Sequence, residues 1–140
     1  MTPVIEGAVF VDTNVFAYAL DEGEPVKRDT ARSTIEAYRR HIIVSTQILV
    51  ELYAVCTRKL GMDRTVAGGA VRAVALFPVV SADRALILDA VALAGDAQLS
   101  VFDAAIVAAA VRSGCATLLT EDLNDGQVLS GGVRVRNPFA

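Results

Sequence analysis

The stretch Ala8-Val9-Phe10-Val11-Asp12-Thr13-Asn14 is a short apolar run that stops on an acid and two small polar residues. Bulky apolar residues in an unbroken row cannot alternate between core and water, so this run predicts a strand buried on both faces. Asp12 then lies at the carboxyl end of that strand, which is the edge of an open α/β sheet where ligands bind. A simpler interpretation is that Asp12 or Thr13 only caps the helix that follows.

Two later stretches repeat the pattern of an apolar run that ends on small polar residues. They are Ile42-Ile43-Val44-Ser45 and Ala116-Thr117-Leu118-Leu119-Thr120-Glu121-Asp122. Helical patterns lie between them, so the chain is predicted to form an α/β fold. Close to the last residue, Val133-Arg134-Val135-Arg136 alternates like an edge strand with both Arg side chains on one face.

Length and composition predict one soluble domain over residues 1–140. With 54% apolar residues, a chain of 140 residues can bury a sizeable core. Cys56 and Cys115 lie in apolar stretches, and they are too far apart in the sequence to form a pair of closely spaced metal ligands. This is typical of a reduced, cytoplasmic protein. Residues 1–7 lack the basic start of a signal peptide. The most apolar windows, 85–95 and 104–111, are too short or too interrupted to cross a bilayer.

The net charge of −3 argues against a protein that holds nucleic acid by bulk positive charge. A local basic rim around an acidic centre is still compatible with it. Most of the basic residues are Arg, whose planar guanidinium binds phosphate with paired hydrogen bonds. Arg134 and Arg136, or the basic helix over residues 27–40, are candidates for contacts with a phosphate backbone.

Two further acids lie on predicted helices. Glu51 belongs to a helix over residues 47–60, whose apolar positions leave a narrow polar stripe that contains Gln47 and Glu51. Asp103 lies in the stretch 99–111, a helix so apolar that we expect it to be buried all round. Ser100 is the expected cap of that helix, and Asp103 can bond back to it from the first turn.

An α/β sheet brings four acids, Asp12, Glu51, Asp103 and Asp122, to one edge. Two like charges about 4 Å apart repel by about 4 kcal/mol at an effective dielectric constant of about 20. A divalent cation removes that repulsion. All-oxygen ligands favour Mg²⁺ or Mn²⁺, because zinc would call for His or thiolate ligands at close spacing. Glu121 competes with Asp122, since only one of two adjacent strand side chains points inward.

The motifs around these acids, taken in order, resemble those of the PIN domain. More narrowly, they are similar to VapC-type toxins of bacterial toxin–antitoxin pairs. The stretch 131–139 also resembles the end of that family, so the likeness covers the chain from Val9 to Phe139. The four motifs are Val11-Asp12-Thr13-Asn14, Gln47-Ile48-Leu49-Val50-Glu51-Leu52, Leu99-Ser100-Val101-Phe102-Asp103-Ala104-Ala105-Ile106-Val107-Ala108 and Leu118-Leu119-Thr120-Glu121-Asp122-Leu123.

This resemblance implies a PIN-like three-layer α/β/α fold with a small parallel sheet sandwiched by helices. It implies that the four acids form a catalytic cluster that binds Mg²⁺ or Mn²⁺ and hydrolyses RNA. Asn14 and Thr120 match polar neighbours that orient acids or water in the family. The resemblance further implies a homodimer and an antitoxin partner whose tail blocks the acidic pocket.

Metal-assisted hydrolysis predicts products with a 5′ phosphate and a 3′ hydroxyl. Attack by the ribose 2′ hydroxyl would need a general acid and base such as two His, and His41 is the only His in the chain. A phosphoacceptor receiver domain remains an alternative, but it would need a Lys at the end of a late strand, whereas Lys27 and Lys59 fall in predicted helices. A non-catalytic metal- or RNA-binding protein on the same fold is the other alternative.

Overall fold

The computed structural model of the protein describes residues 7–140. Within that range, five strands form one sheet in the order β3-β2-β1-β4-β5, and every neighbouring pair is parallel. The predicted small parallel sheet is therefore confirmed. The prediction about a signal peptide rests on residues 1–7, of which residues 1–6 lie outside the described part. The strands are β1 (Ala8–Val11), β2 (Ile42–Ser45), β3 (Val79–Val80), β4 (Cys115–Leu119) and β5 (Arg134–Arg136).

Six α-helices connect these strands in the described part of the chain. Two short 3-10 turns, Arg39–His41 and Ser130–Gly132, precede β2 and β5. The helices are α1 (Thr13–Ala19), α2 (Pro25–Tyr38), α3 (Thr46–Arg58), α4 (Arg64–Val74), α5 (Arg84–Ala97) and α6 (Val101–Arg112).

The order of the strands places the helices in two layers. The chain steps outward from β1 to β2 to β3, and then returns across the sheet to β4 on the other side of β1. Parallel crossovers are right-handed, so α1 to α4 cover one face of the sheet and α5 and α6 cover the other. The direction of winding reverses between β1 and β4. A crevice therefore opens beyond the carboxyl ends of these two strands, where α/β proteins bind ligands.

The central strand is buried on both faces, as its apolar run predicts. Val9, Phe10 and Val11 have no exposed surface. The expectation that the helix after Ser100 is buried all round is wrong at both of its ends, because Val101 is 41% exposed, Phe102 is 68% exposed and Val111 is 40% exposed. The side chains in the middle of α6 are buried, whereas both ends of the helix are partly open to solvent.

The end of α5 also differs from the sequence prediction. The pair Gly95-Asp96 predicts the end of this helix, but the helix continues to Ala97. It stops at Gln98, which adopts the left-handed conformation with φ of 55°.

No single helix of residues 7–140 has the length and apolar character to span a membrane. Together α5 and α6 meet those criteria, but they are bent by 117° relative to each other.

Candidate active site

Asp12 both caps a helix and faces the crevice. The backbone N–H of Thr13 donates to Asp12 Oδ1 at 2.7 Å, and the hydroxyl of Thr120 donates to Asp12 Oδ2 at 2.9 Å. The backbone N–H of Asp12 donates to Leu119 O at 3.0 Å, which extends the pairing of β1 with β4 by one residue. The two interpretations of Asp12 are therefore compatible, since its two carboxylate oxygens have different partners.

Glu51 reaches the same site from α3. Thr13 Oγ1 donates to Glu51 Oε2 at 2.8 Å, and Gln47 Nε2 donates to Glu51 Oε1 at 2.7 Å. Gln47 Nε2 also donates to the carbonyl of Phe102 at 3.2 Å. This side chain therefore ties α3 to the first turn of α6 across the crevice. Both oxygens of Glu51 are held in place by donors from this network.

Asp122 is held by the residues that follow β4. Its backbone N–H donates to Thr120 Oγ1 at 3.0 Å, and Asn14 Nδ2 donates to Asp122 Oδ2 at 3.2 Å. Asn14 Nδ2 also approaches Thr120 Oγ1 at 3.4 Å. Thr120 is thus bonded to both Asp12 and Asp122, and its hydroxyl fixes the spacing between these two acids.

Glu121 is directed to a different set of partners. Tyr18 Oη donates to Glu121 Oε1 at 2.8 Å, and Lys27 Nζ donates to Glu121 Oε2 at 3.2 Å. The expectation that only one of Glu121 and Asp122 points inward is wrong, because both line the same cavity. Strand alternation no longer applies there, since β4 ends at Leu119. The two acids differ instead in their partners, because Glu121 forms an ion pair with Lys27 and Asp122 accepts from the neutral amide of Asn14.

Asp103 lies at the edge of the site, on the opposite helical layer. Ser100 caps α6 as predicted, with its Oγ accepting from the backbone N–H of Asp103 at 3.0 Å. Within the described residues, the Asp103 carboxylate does not bond back to the cap. Asp103 is close enough to Asp122 for their repulsion to help raise the pKa of Asp122.

A cavity of about 350 Å³ joins three of the predicted acids. Asp103, Arg134 and Arg136 do not belong to its wall. Both Arg side chains are exposed on one face of the edge strand β5, as the alternation predicted. The cavity is lined by Asp12, Thr13, Asn14, Ala17, Tyr18, Glu51, Ala54, Val55, Lys59, Glu121 and Asp122.

Burial and mutual repulsion favour the protonated form of two carboxyls in this site. Burial raises the pKa of Asp12 to about 7, and repulsion by Asp122 and Glu51 adds to it, although bonds from Thr120 and Thr13 oppose the rise. Burial also raises the pKa of Asp122, helped by repulsion from Asp103, Glu121 and Glu51. Ionising all of these carboxyls would therefore place more negative charge in the site than its own hydrogen-bond donors compensate.

The side chains present fit a hard cation better than a soft one. The atoms that could bind a cation are carboxylate, amide and hydroxyl oxygens. Among them, Asn14 Oδ1 is buried without a hydrogen-bond partner among residues 7–140. No three acidic, thiol or imidazole side chains in that range are close enough to share one ion directly. Mg²⁺ suits such a site, since it commonly binds one or two carboxylates and keeps several water molecules.

Several residues of this site could not be identified as functional from the sequence. The sequence indicates Thr13 only as a helix cap, and Tyr18, Lys27 and Lys59 carry no signal of a shared cavity. Gln47 is visible as a neighbour of Glu51, because residues four apart lie on one helix face. Its bond to the carbonyl of Phe102 depends on packing between helices that are far apart in sequence.

The PIN domain family model matches residues 9–124. Comparison with curated protein sequences gives no significant match. The family match covers both ends of the cavity, from Asp12 after β1 to Asp122 after β4. A receiver domain is therefore not supported, and the carboxyl end of β4 carries Thr120 where that class would need a Lys.

Solved structures with a similar fold include a VapC toxin, VapBC complexes and a further toxin–antitoxin complex. VapC20 of Mycobacterium tuberculosis, described as a toxin that cleaves the sarcin–ricin loop, is 22% identical with a TM-score of 0.66, over 79% of this chain and 87% of that one. A toxin–antitoxin complex from Klebsiella pneumoniae is 23% identical with a TM-score of 0.68, over 95% and 98%. DNA-bound VapBC from Salmonella typhimurium is 15% identical with a TM-score of 0.69, over 94% and 98%.

At these identities the likeness to solved structures concerns the fold. It agrees with an α/β fold in which helices surround a parallel sheet. The family model adds the match along the sequence itself. Together they lead to one conclusion: this chain belongs to the PIN domain family.

Proposed function

We propose that the protein is a metal-dependent endoribonuclease that acts as the toxin of a toxin–antitoxin pair. It would hydrolyse RNA phosphodiester bonds and leave 5′ phosphate and 3′ hydroxyl ends. The observation that carries this proposal is the convergence of Asp12, Glu51 and Asp122 on one cavity, with Asp103 beside Asp122. Membership of the PIN domain family and the toxins among the solved neighbours support it.

Asp12, Glu51, Asp103 and Asp122 are the residues that would hold Mg²⁺ or Mn²⁺, one or two of them directly and the others through water molecules that the ion keeps. When bound, such an ion lowers the pKa of a water molecule and offsets charge on the phosphate. The protein's own part is to place the acids before the metal arrives. Without a cation, the negative charge of these acids would oppose the approach of a phosphate.

Three neutral side chains orient this cluster. Thr13 and Gln47 hold the two oxygens of Glu51, and Thr120 holds Asp12. Each of these donors occupies one lone pair of the oxygen that it bonds, so a second lone pair of that oxygen stays available to a ligand. The arrangement is thus pre-formed, which lowers the cost of organising the site when substrate binds.

The rival route, attack by the ribose 2′ hydroxyl, lacks suitable residues in this fold. That route commonly uses an acid and base such as two His, and His41 is the only His in the sequence. His41 lies in the 3-10 turn before β2, at the amino end of the strand. The acids lie beyond the carboxyl ends, so His41 is at the opposite edge of the sheet.

The partners belong to the same proposal. Toxin–antitoxin complexes among the solved neighbours support an antitoxin for this chain. We propose further that the chain forms a homodimer in the cytoplasm. Arg134 and Arg136 are proposed to contact RNA phosphates, since both are exposed on β5, which pairs with β4, the strand that Thr120 follows.

The test is to incubate the purified protein with total RNA, in Mg²⁺ and in chelator, and to map the new 5′ ends. We expect Mg²⁺-dependent cleavage with 5′ phosphate ends, and its loss in Asp12→Asn and Asp103→Asn. Asp96→Asn is a matched control, because it makes the same change at an exposed site on α5. Ends that carry 2′,3′-cyclic phosphate would refute the chemistry.

The non-catalytic alternative is separated by the same variants. If the wild-type protein binds RNA without cutting it, or if growth arrest by the protein persists in Asp12→Asn and Asp103→Asn, the chain is a binding protein on this fold. Circular dichroism of each variant checks that the fold is retained. Asp103→Asn is the safer of the two, since the Asp103 carboxylate makes no hydrogen bond within the described residues.

A further inference from the structure

The acidic cavity has a second side that the cleavage chemistry does not use. Away from the acids, its wall is formed by Ala17 on α1 and by Ala54 and Val55 on α3. These short apolar side chains leave space beside the acids and offer no hydrogen bonds. The cavity volume of about 350 Å³ lies within the range of small-molecule and cofactor sites.

Lys59 stands at the rim of this apolar side. It follows the last residue of α3, and it is the one basic residue that lines the cavity within the described part of the chain. Lys59 is exposed and forms no ion pair or side-chain hydrogen bond with any of residues 7–140.

Lys59 differs from Lys27 in having no charged partner among the described residues. Lys27 lies near the same cavity, but its ammonium is bonded to Glu121 and Tyr18 and lies 4.5 Å from the centre of the Tyr18 ring. Its charge is therefore already compensated. Lys59 has no such partner in the described residues, so its charge is available to an anion in the cavity.

We propose that this side of the cavity is a nucleotide subsite. Lys59 binds a phosphate next to the cleaved bond, and the apolar wall formed by Ala17, Ala54 and Val55 packs against the attached ribose and base. The inference rests on the proposed ribonuclease function and names a residue that positions its substrate. A nucleotide supplies both features that the surface matches, an anion for Lys59 and a flat apolar face for the wall. An acidic side chain, by contrast, supplies the anion without a flat ring attached to it.

The test measures RNA binding rather than cleavage, in the Asp103→Asn background and in Mg²⁺. A fluorescein-labelled single-stranded RNA of mixed sequence is titrated with protein at several salt concentrations, and anisotropy is recorded. We expect Lys59→Ala to weaken binding about tenfold, as for the loss of a charge-assisted hydrogen bond. The slope of log K against log salt should fall by about 0.7, because the protein then neutralises one phosphate fewer on a single strand. Lys59→Arg should restore most of the binding.

Two further variants separate the features of the subsite. Arg58→Ala removes the same charge one residue earlier, at an exposed position that does not line the cavity, so we expect it to change affinity less than about twofold. Ala54→Leu fills the apolar side without changing charge. We expect it to weaken binding about tenfold with no change in the salt slope, since the protein still neutralises the same number of phosphates.

The inference is overturned if Lys59→Ala and Arg58→Ala have equal effects, or if Ala54→Leu binds RNA normally. It is also overturned if poly-glutamate displaces the labelled RNA as well as unlabelled RNA of equal charge does, because the site would then select only charge. In each case wild-type cleavage in Mg²⁺ shows whether the proposed function survives. If the Asp103→Asn chain binds no RNA at any salt concentration and the wild type does not cleave, both proposals fail together.

Discussion

Asp12→Asn removes a carboxyl that is only 6% exposed and that is repelled by Asp122 and Glu51. We predict that this change stabilises the metal-free protein at high pH, although it abolishes cleavage. The reason is that a buried carboxylate without a cation is costly, and the neutral amide is not. Sites prepared for metal binding commonly sacrifice stability in this way.

The magnitude follows from the pKa of Asp12. A rise from 3.8 to about 7 corresponds to about 4 kcal/mol of stability lost at pH 8, as an upper limit. The unfolded chain releases this proton at lower pH than the folded chain does. Stability of the metal-free protein therefore falls as the pH rises from about 4 to about 7, and it is unaffected by this group at lower pH.

The substitution has an opposing cost. Asn keeps an oxygen that can accept the bond from the Thr13 N–H, but it loses the second acceptor that the Thr120 hydroxyl uses. A lost hydrogen bond of this kind costs about 1 kcal/mol. We therefore expect Asp12→Asn to be about 1 to 3 kcal/mol more stable than wild type at pH 8, and about 1 kcal/mol less stable at pH 4.

The assay is urea unfolding in chelator at both pH values, followed by far-ultraviolet circular dichroism because the chain has no Trp. Titration with Mg²⁺ at pH 8 should stabilise the wild type and leave Asp12→Asn nearly unchanged, which reverses their order. Asp96→Asn is the exposed control and should show neither effect. Equal destabilisation of Asp12→Asn at pH 4 and pH 8 would refute the reasoning, since burial of a charge predicts a difference.

Other predictions concern the residues that hold the acids and the helix that carries one of them. Thr120→Val should destabilise the protein by about 1 to 3 kcal/mol in urea unfolding, because it leaves the backbone N–H of Asp122 without its acceptor. It should also raise the pKa of Asp12 further, so the pH at which cleavage reaches its maximum moves upward. Gln47→Met should lower kcat for RNA cleavage about tenfold with little change in Tm, because Glu51 loses one donor. Ser100→Ala should cost about 1 kcal/mol of stability through loss of the cap on α6, and an unchanged urea midpoint would contradict this.

Features that depend on neighbouring residues could be predicted from the sequence. The apolar row Val9-Phe10-Val11 predicts a strand buried on both faces, and Ser100 is the cap that its position indicates. The motifs around Asp12, Glu51, Asp103 and Asp122 are sufficient to suggest the PIN domain, which the family match confirms. Periodicity, capping and short motifs are local properties, so the order of residues along the chain is enough to predict them.

Features that depend on side chains far apart in sequence were decided by the tertiary structure. The partners of Glu121 are Tyr18 and Lys27, so the choice between Glu121 and Asp122 could not follow from strand alternation. Lys59 gains a place on the cavity wall only when α3 packs beside α1. The acids themselves can be identified in the sequence, but their charge state depends on burial and on the distances between them. Those two quantities exist only once the chain has folded.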